Sequence, residues 1–432
     1  MPTADLVLTG AGEIYTACPA AAEVPDDPGL ARSTFQPELL TDTVVACGGG
    51  RILYVGPEAG LEDAVDVSEA TVADLDGRLL TPGLIDPHTH LVFDGARHEE
   101  YALRSVGADY QEIAAAGGGI RSSVRSFRTA DDDALYYQAV PRLLAMAMTG
   151  TTVVEIKSGY GLSLEEELKA LRVIGRLQNE MPVGIVATFL GAHEIPDEYR
   201  EDREGYVRLV IEQMLPAVEE QGIASFCDVF CETGVFTVEE SERILTAAQE
   251  RGLGARIHSD EFDALGGTEM AARIGAVSAE HLTAITSDGI AALADSDTVA
   301  VLLPGTTLFL GKKDYAPARA LLEAGATVAL ATDFNPGSST FLSLPLMMTV
   351  ACSQMKMHPA EAWQGVTASA ARALGLDREI GRIETGMRAD LVVWDADDYR
   401  MIPYAAGHPL ALVVIIGGEI LSFGEEDDTV EA

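Results

Sequence analysis

The fold of this chain is decided first by LIDPHTHLV, residues 84–92, an apolar run that contains two histidines near its end. Similar apolar runs follow, each succeeded by helix-compatible sequence: TTVVEIKSG (151–159), GIVATFLGAH (184–193), SFCDVFCE (225–232), GARIHSD (254–260), GAVSAEHL (275–282), TVAVLLPG (298–305) and TVALATDFN (327–335). Continuous rather than alternating apolar runs indicate parallel strands buried on both faces. Roughly eight such units in about 290 residues favour a (β/α)8 barrel over a doubly wound sheet. A Rossmann arrangement is the alternative, but no GxGxxG follows a strand.

The two ends of the chain have β character instead. Short β-rich runs separated by Gly, Pro and Asp come before residue 80, and GRIETGMRADLVVWD and ALVVIIGGEIL come after residue 380. We therefore expect an α/β protein in which residues 1–80 and 376–432 form a small composite β-sandwich beside a barrel at residues 81–375. The Pro- and Ala-rich stretch 17–38 predicts a surface insertion or flexible loop, and the acidic tail EEDDTVEA predicts disorder.

Composition excludes several classes of function. The 432 residues include 68 acids and 29 bases, a net charge of −39. This charge excludes nucleic-acid binding through a basic surface and disfavours association with anionic lipid. Five of the bases are lysine, and an acidic, lysine-poor surface is typical of a halophilic protein from a salt-loaded cell. An ordinary acidic enzyme is the alternative.

The cysteines and the N-terminus predict a cytoplasmic protein. Five scattered cysteines fit a reducing compartment better than a disulfide framework. Cys227 and Cys231 are interpreted as strand residues, because no second cysteine pair completes a zinc site. MPTADLVLTG has neither a basic region nor a long apolar stretch, so no signal peptide is expected. The longest aliphatic run, residues 410–416, is too short to span a bilayer.

Histidines gather at the predicted strand ends, where barrel enzymes carry their reactive groups. His88 and His90 are two residues apart on one strand, so both imidazoles point to the same side. An HxH pair also arises by chance, but His258 and Asp333 end two other predicted strands and complete an N3O site with room for water. Such a site suits zinc. A helix cap is the alternative for Asp333.

Further polar residues lie on the same rim. Glu261, three residues after His258, can hold a substrate N–H or carry a proton, and His281 can polarise a carbonyl or stabilise a hydroxide. Arg97 offers a planar fork for a carboxylate. The simpler interpretations are a structural role for His281, a surface ion pair for Arg97, and core packing for Tyr160 and His193.

Together these motifs resemble a known family. TPGLIDPHTHLVFDGAR and ADLVVWD resemble the signature of the amidohydrolase superfamily. EIKSGYGL, TFLGAHEIP, DVFCETGVF, RIHSDEF, SAEHL and LATDFNPGSS look more particularly like the imidazolonepropionase family, over about residues 80–395. The resemblance implies a cytoplasmic enzyme, usually a homodimer, that hydrolyses the cyclic amide 4-imidazolone-5-propanoate to N-formimidoyl-L-glutamate, the third step of histidine degradation. It also implies a barrel-plus-sandwich fold.

The resemblance also assigns residues to roles. It implies one Zn2+ or Fe ion per subunit, with metal ligands at His88, His90, His258 and Asp333. Catalytic residues are then Glu261, His281 and Asp333. Substrate contacts fall on Arg97, Tyr160, His193, Glu261 and Ser338, with Asn335 and Gly337 beside the ring or product and Tyr110 near the pocket.

Two other functions compete. A mononuclear deaminase for cytosine or guanine shares the histidine, glutamate and aspartate pattern, but a nucleobase has no carboxylate for Arg97 to bind. A non-catalytic scaffold on the same fold typically lacks metal ligands, and all four candidates are present here. A binuclear hydrolase needs a bridging lysine on the fourth strand, and SFCDVFCE contains none.

Overall fold

The computed structural model describes residues 1–21, 29–107 and 118–421. The strands are β1 (Leu6–Thr9), β2 (Glu13–Pro19), β3 (Pro37–Leu40), β4 (Val44–Gly48), β5 (Arg51–Gly56), β6 (Thr71–Asp74), β7 (Leu79–Pro82), β8 (Leu84–Asp86), β9 (Thr151–Lys157), β10 (Gly184–Ala192), β11 (Phe226–Cys231), β12 (Gly254–Ser259), β13 (Ser278–His281), β14 (Val299–Leu302), β15 (Val328–Leu330), β16 (Leu391–Trp394), β17 (Ala411–Ile416) and β18 (Glu419–Leu421).

The helices are α1 (Leu61–Ala64), α2 (His98–Ser105), α3 (Ile120–Thr129), α4 (Asp132–Ala147), α5 (Leu164–Glu180), α6 (Arg203–Leu209), α7 (Leu215–Gln221), α8 (Val238–Gln249), α9 (Gly267–Ile274), α10 (Ser287–Ala294), α11 (Pro304–Phe309), α12 (Ala318–Ala324), α13 (Leu344–Gln354), α14 (Pro359–Gly365), α15 (Ala368–Ala373) and α16 (Met401–Tyr404). Over the described ranges, none of them is both long and apolar enough to span a bilayer.

Strands β8 to β15 form one parallel sheet in which each strand pairs with the next along the chain. The sheet closes where the segments that continue β8 and β15 pair through Thr89 and Phe334. There the Asp333 N–H donates to the His88 carbonyl at 3.1 Å, and the His90 N–H donates to the Phe334 carbonyl at 2.9 Å. The predicted (β/α)8 barrel is confirmed, and its seam brings two predicted metal-ligand segments together.

The helices pack on the barrel through apolar faces with helical spacing. Helix α5 buries Leu171, Ile174 and Leu177, which lie three residues apart on one side of the helix. Helix α8 starts at Thr237, which forms a reciprocal capping box with Glu240 and so satisfies donors that the first helical turn leaves free. These local signals determine which face of α5 is buried and where α8 begins.

The inside of the barrel is apolar at its N-terminal end. Ile85, Val153 and Val301 pack there in one cluster with Ala370 and Leu374, at the end of α15. This cluster closes the bottom of the barrel. The charged side chains described below lie in the next layer, and the strand ends above them open to the site.

Two further sheets lie at the termini, in the orders β5-β4-β1-β6 and β18-β17-β16-β7-β2-β3. Leu8, Val45, Leu391 and Ile415 belong to one buried apolar cluster that both sheets share. The expected combination of both chain ends beside a barrel is therefore confirmed. The domain boundaries at residues 80/81 and 375/376 stay a prediction.

The stretch 17–38 is more ordered at its two ends than the sequence predicted. Strand β2 extends to Pro19 and pairs antiparallel with β3, which begins at Pro37. Ala17 and Leu30 belong to the main apolar core, because a composition rich in proline and alanine does not reveal which side chains tertiary contacts will bury. Residues 22–28 and the acidic tail lie outside the described residues.

Candidate active site

Four donor side chains converge at the barrel seam. His88 and His90 follow β8, His258 lies in β12, and Asp333 follows β15. The Nε2 atoms of His88 and His90 lie 3.4 and 3.6 Å from Asp333 Oδ1, and His258 Nε2 lies 3.4 Å from His90 Nε2. All four side chains are buried. The structure thus brings the four predicted ligands together at the C-terminal end of the barrel.

The spacing of these atoms fits a small divalent cation. In a tetrahedral site with bonds of about 2.0–2.1 Å, neighbouring donor atoms lie about 3.3–3.4 Å apart. Three of the six donor separations, at 3.4–3.6 Å, are close to this value. His88, His90 and Asp333 form one group of donor atoms within 4.8 Å of one another, and His258 belongs to a second such group with His88 and His281. Imidazole and carboxylate donors are accepted by zinc and iron alike, so the donor set supports a divalent metal without choosing between them.

Behind the donors lies a buried network that the sequence analysis missed. Asp228 of β11 accepts a hydrogen bond from His258 Nδ1 through Oδ1 at 3.1 Å, and Glu280 of β13 contacts His88 Nδ1. Lys157 of β9 bridges both carboxylates, at 2.8 Å from Asp228 and 3.1 Å from Glu280. Because Nδ1 of His88 and of His258 faces a carboxylate, Nε2 is the nitrogen that these two imidazoles have left to bind a metal.

The charge of this network also favours a divalent cation. It contains two basic side chains and four carboxylates: Lys157, Arg256, Glu155, Asp228, Glu280 and Asp333. With neutral imidazoles its formal charge is therefore −2. All six side chains are buried, and buried charge without compensation is costly. One divalent ion offsets this charge.

The pKa values of two of the donors, His88 and Asp333, show the same preference for positive charge. Burial alone would lower the pKa of His88, but the Glu280 and Asp333 carboxylates raise it to about 9. Burial opposes ionisation of Asp333, yet the His88 hydrogen bond holds the pKa of this carboxyl at about 2. The Glu280 and Asp333 carboxylates thus stabilise positive charge at His88, whereas burial and the neighbouring histidines hold the pKa of His90 well below its usual range.

Glu261 and His281 form a second pair beside the donors, with Oε2 and Nε2 3.7 Å apart. Burial, reinforced by the Asp333 charge, raises the pKa of Glu261 to about 8. Burial also holds the pKa of His281 well below its usual range. At neutral pH, a protonated carboxyl therefore lies beside a neutral imidazole, an acid next to a proton acceptor.

Three residues at the strand ends have an unusual backbone. Asp260, His281 and Asp333 have positive φ angles of 52°, 75° and 51°. Residues other than glycine adopt this region rarely and at a cost, so it persists where surrounding structure imposes it. Two of these three residues, His281 and Asp333, are themselves predicted site residues at the mouth of the barrel.

The donors open onto a cavity of about 680 Å³. Its walls include most of the predicted site residues: His90, Arg97, Tyr160, His193, His258, Glu261, His281, Asp333, Asn335, Gly337 and Ser338. His88 lies deeper and is fully buried. Tyr110 lies outside the described residues. A cavity of this size has room for a small ring with a short side chain.

Arg97 enters the cavity above Gly337. Its Nε and Nη2 atoms donate to Glu100 Oε2 at 2.9 and 2.7 Å. Its Nη1 atom lies nearest Gly337, where an added Cβ would be 2.0 Å away. Since Gly337 has no positive φ, the close approach of the guanidinium, rather than backbone conformation, is what requires glycine there.

A single buried carboxylate, Glu167, orders the loop that carries Tyr160. It accepts hydrogen bonds at 2.8–3.0 Å from the backbone N–H groups of Gly159, Gly161 and Leu162. The Gly159 carbonyl in turn contacts His193 Nδ1 at 3.0 Å, and the His193 ring stacks on His90 with centroids 5.0 Å apart. Glu167 therefore positions two predicted substrate contacts.

Asn335 shapes the loop after β15. Its amide oxygen accepts from the N–H groups of Gly337 and Ser338, both at 2.8 Å. Its amide nitrogen donates to the Asp333 carbonyl at 2.7 Å and to Ser338 Oγ at 2.8 Å. The amide is thus satisfied within the loop and holds its neighbours in place.

Seven residues that the sequence analysis did not single out support the predicted site residues without touching the cavity. They are Glu155, Lys157, Glu167, Asp228, Arg256, Glu280 and Thr306, of which Thr306 donates to Asp333 Oδ2. A signal for several of them was present, since VVEIK, FCDVF and GARIH each place a charged residue inside an apolar strand. A buried charge is retained only with partners, so these runs indicated internal ion pairs.

Known proteins are similar to this chain in both fold and sequence. The model of the amidohydrolase family matches residues 79–421, so the chain belongs to the amidohydrolase family, and with its donor set it is a metal-dependent hydrolase. The imidazolonepropionase of Symbiobacterium thermophilum is 45% identical over 429 residues, covering 98% of each chain. That of Geobacillus kaustophilus is 48% identical over 374 residues, covering 86% of this chain and 88% of its own. Within the amidohydrolases, the chain is a member of the imidazolonepropionase family.

Solved structures of low identity show the same fold. An adenosine deaminase from Xanthomonas campestris with bound zinc aligns with a TM-score of 0.71 and 20% identity, covering 97% of this chain and 93% of that one. An E. coli guanine deaminase aligns with a TM-score of 0.67 and 15% identity, covering 96% and 99%. These two likenesses concern the fold alone.

Proposed function

We propose that this chain hydrolyses 4-imidazolone-5-propanoate to N-formimidoyl-L-glutamate, the third step of histidine degradation. The observation that carries the proposal is the placement of Arg97 above Gly337 in the same cavity as the histidine–aspartate cluster. One end of the cavity then suits a carboxylate tail, and the other suits a cyclic amide. The identity to curated imidazolonepropionases over most of the chain supports the same substrate.

The metal in this proposal is a single zinc or iron ion per subunit. His88, His90, His258 and Asp333 would hold it, with the buried network of Lys157 and its partners fixing the imidazoles. When bound, such an ion polarises a carbonyl and makes water a better nucleophile at neutral pH.

The chain's own residues then move the protons. Water adds to the ring carbonyl carbon, the amide C–N bond breaks, and one proton of the water ends on the ring nitrogen. His281, as a neutral imidazole, accepts a hydrogen bond from the attacking water. Glu261, with its raised pKa, donates a proton to the departing nitrogen, and the proton that the water loses returns through His281 to Glu261. Asp333 assists by orienting the water.

The remaining residues hold the substrate in this proposal. Arg97 binds the propionate, and Tyr160 and His193 contact the substrate from the loops after β9 and β10. Ser338 contacts it from the loop that Asn335 and Gly337 shape. We also propose that Tyr110 contributes near the pocket.

The proposal is tested with the metal-loaded protein and a spectrophotometric assay of imidazolonepropionate consumption. Cytosine and guanine serve as controls in an ammonia-release assay. Turnover of imidazolonepropionate alone is expected. Ammonia release from a nucleobase without turnover of imidazolonepropionate would instead support the deaminase alternative. Failure with every substrate despite bound metal would favour a non-catalytic scaffold.

We further propose a cytoplasmic homodimer adapted to high salt. The location is supported by the reducing-compartment pattern of the cysteines, all five of which are free in the structure. The salt adaptation is supported by the net charge of −39. Sedimentation velocity checks the dimer, and a single monomeric species at assay concentration would contradict it.

A further inference from the structure

A second arginine lines the same cavity as Arg97. Arg104 lies seven residues further along, in α2, and its side chain also reaches the cavity wall. Seven residues are almost two helical turns, so the two side chains leave the segment on the same face. The cavity therefore has two arginines along one of its walls.

The two arginines differ in their partners. Arg97 is paired with Glu100, so much of its charge is already compensated. Over residues 1–21, 29–107 and 118–421, no carboxylate lies within ion-pair distance of Arg104, and its Nε atom is buried without a hydrogen-bond acceptor. Burial and the neighbouring Arg97 charge lower the pKa of Arg104, and the Glu100 charge opposes this shift only in part.

Aromatic rings hold the Arg104 guanidinium in place. Its central carbon lies 5.3 Å from the ring centre of Phe309 and 6.0 Å from that of Tyr101. An arginine over aromatic faces keeps its N–H donors in the guanidinium plane, where they remain available to a carboxylate. Lys312, another cation of the wall, lies over Phe262 at 3.7 Å and its charge acts on Glu261 and Glu232.

We propose that Arg104 is a specificity-determining residue that, together with Arg97, binds the anionic tail of the substrate. The inference rests on the proposed function. Arg97 supplies an oriented donor close to Gly337, but Glu100 largely compensates its charge. Arg104 supplies positive charge that no ion pair within the described part of the chain compensates. A neutral ring compound of the same size gains nothing from Arg104.

The test is Arg104→Met in the metal-loaded protein, with imidazolonepropionate as substrate. We expect KM to rise about ten-fold, because a charge-assisted contact is lost, while kcat stays within about two-fold. Arg104→Lys keeps the charge and should recover most of the effect. Arg243→Met is the matched control, since Arg243 pairs with Glu204 on a solvent-exposed face. An unchanged KM for Arg104→Met would overturn the inference.

A binding measurement separates charge recognition from packing. Two hydantoins are compared by calorimetry, one with a propionate tail and one with a propionamide tail. Wild type should prefer the propionate, and Arg104→Met should lose most of this preference. Equal weakening of both compounds would mean that Arg104 only packs on Phe309, which overturns the inference. A wild type that prefers the propionate but does not hydrolyse imidazolonepropionate would contradict the proposed function and leave the role of Arg104 supported.

Discussion

Gly337→Ala tests whether Arg97 binds the carboxylate of the substrate. The new Cβ would lie 2.0 Å from Arg97 Nη1 and 2.8 Å from Cζ, whereas an ordinary contact needs about 3.5 Å. The backbone at Gly337 accepts alanine, because its φ is not positive. The guanidinium is the flexible partner, so it must withdraw by about 1.5 Å while the fold stays intact.

The size of the effect follows from the contacts of Arg97. Two of its nitrogens already donate to Glu100, so the withdrawal removes about one charge-assisted hydrogen bond to the substrate. Such a bond contributes about 1.5–3 kcal/mol, which corresponds to a roughly 10- to 150-fold rise in KM. We expect kcat to change less, because the propionate is held equally in the ground and transition states.

Steady-state kinetics on a double-mutant cycle measures this effect. Arg97→Ala alone should raise KM by a similar factor. Adding Gly337→Ala to it should then cost little, because the new methyl group has no guanidinium left to displace. Equal costs of Gly337→Ala with and without Arg97 would refute the reasoning, as would an unchanged KM in the single variant.

Four further outcomes are expected. His258→Ala should lose most of the roughly one bound ion per chain, together with activity, as measured by elemental analysis; two tightly held ions in wild type would contradict the mononuclear assignment. The midpoint temperature of thermal unfolding should rise between 0.1 and 1 M salt, as the screening length falls from about 10 to about 3 Å. A midpoint that does not change with salt would contradict the adaptation to high salt and favour an ordinary acidic enzyme. Glu261→Gln and His281→Ala should each lower kcat about 10²- to 10⁴-fold with metal still bound. Burial raises the pKa of Glu261 to about 8, so its protonated form dominates below that pH. The kcat/KM of wild type should therefore decline above about pH 8. A kcat/KM that still rises through pH 9 would exclude Glu261 as the acid.

Sequence patterns were sufficient for the architecture because the relevant signals are local and repeated. A barrel strand buried on both faces must be apolar along its whole length, and eight such runs alternate with helical stretches. The polar exceptions at the strand ends then stand out, which is how His88, His90, His258 and Asp333 were found. The motif resemblance extended this to Arg97 and the loop after β15.

Only the tertiary structure decided how these residues are held and which charges remain uncompensated. Lys157 meets Asp228 and Glu280 across three different strands, and nothing in the spacing of those residues along the chain encodes that meeting. Likewise, Glu100 forms an ion pair with Arg97 but not with Arg104, although all three belong to one short segment. A chain determines its own periodicity and local turns, whereas the pairing of buried charges depends on barrel closure and side-chain direction, which exist only once distant strands have packed together.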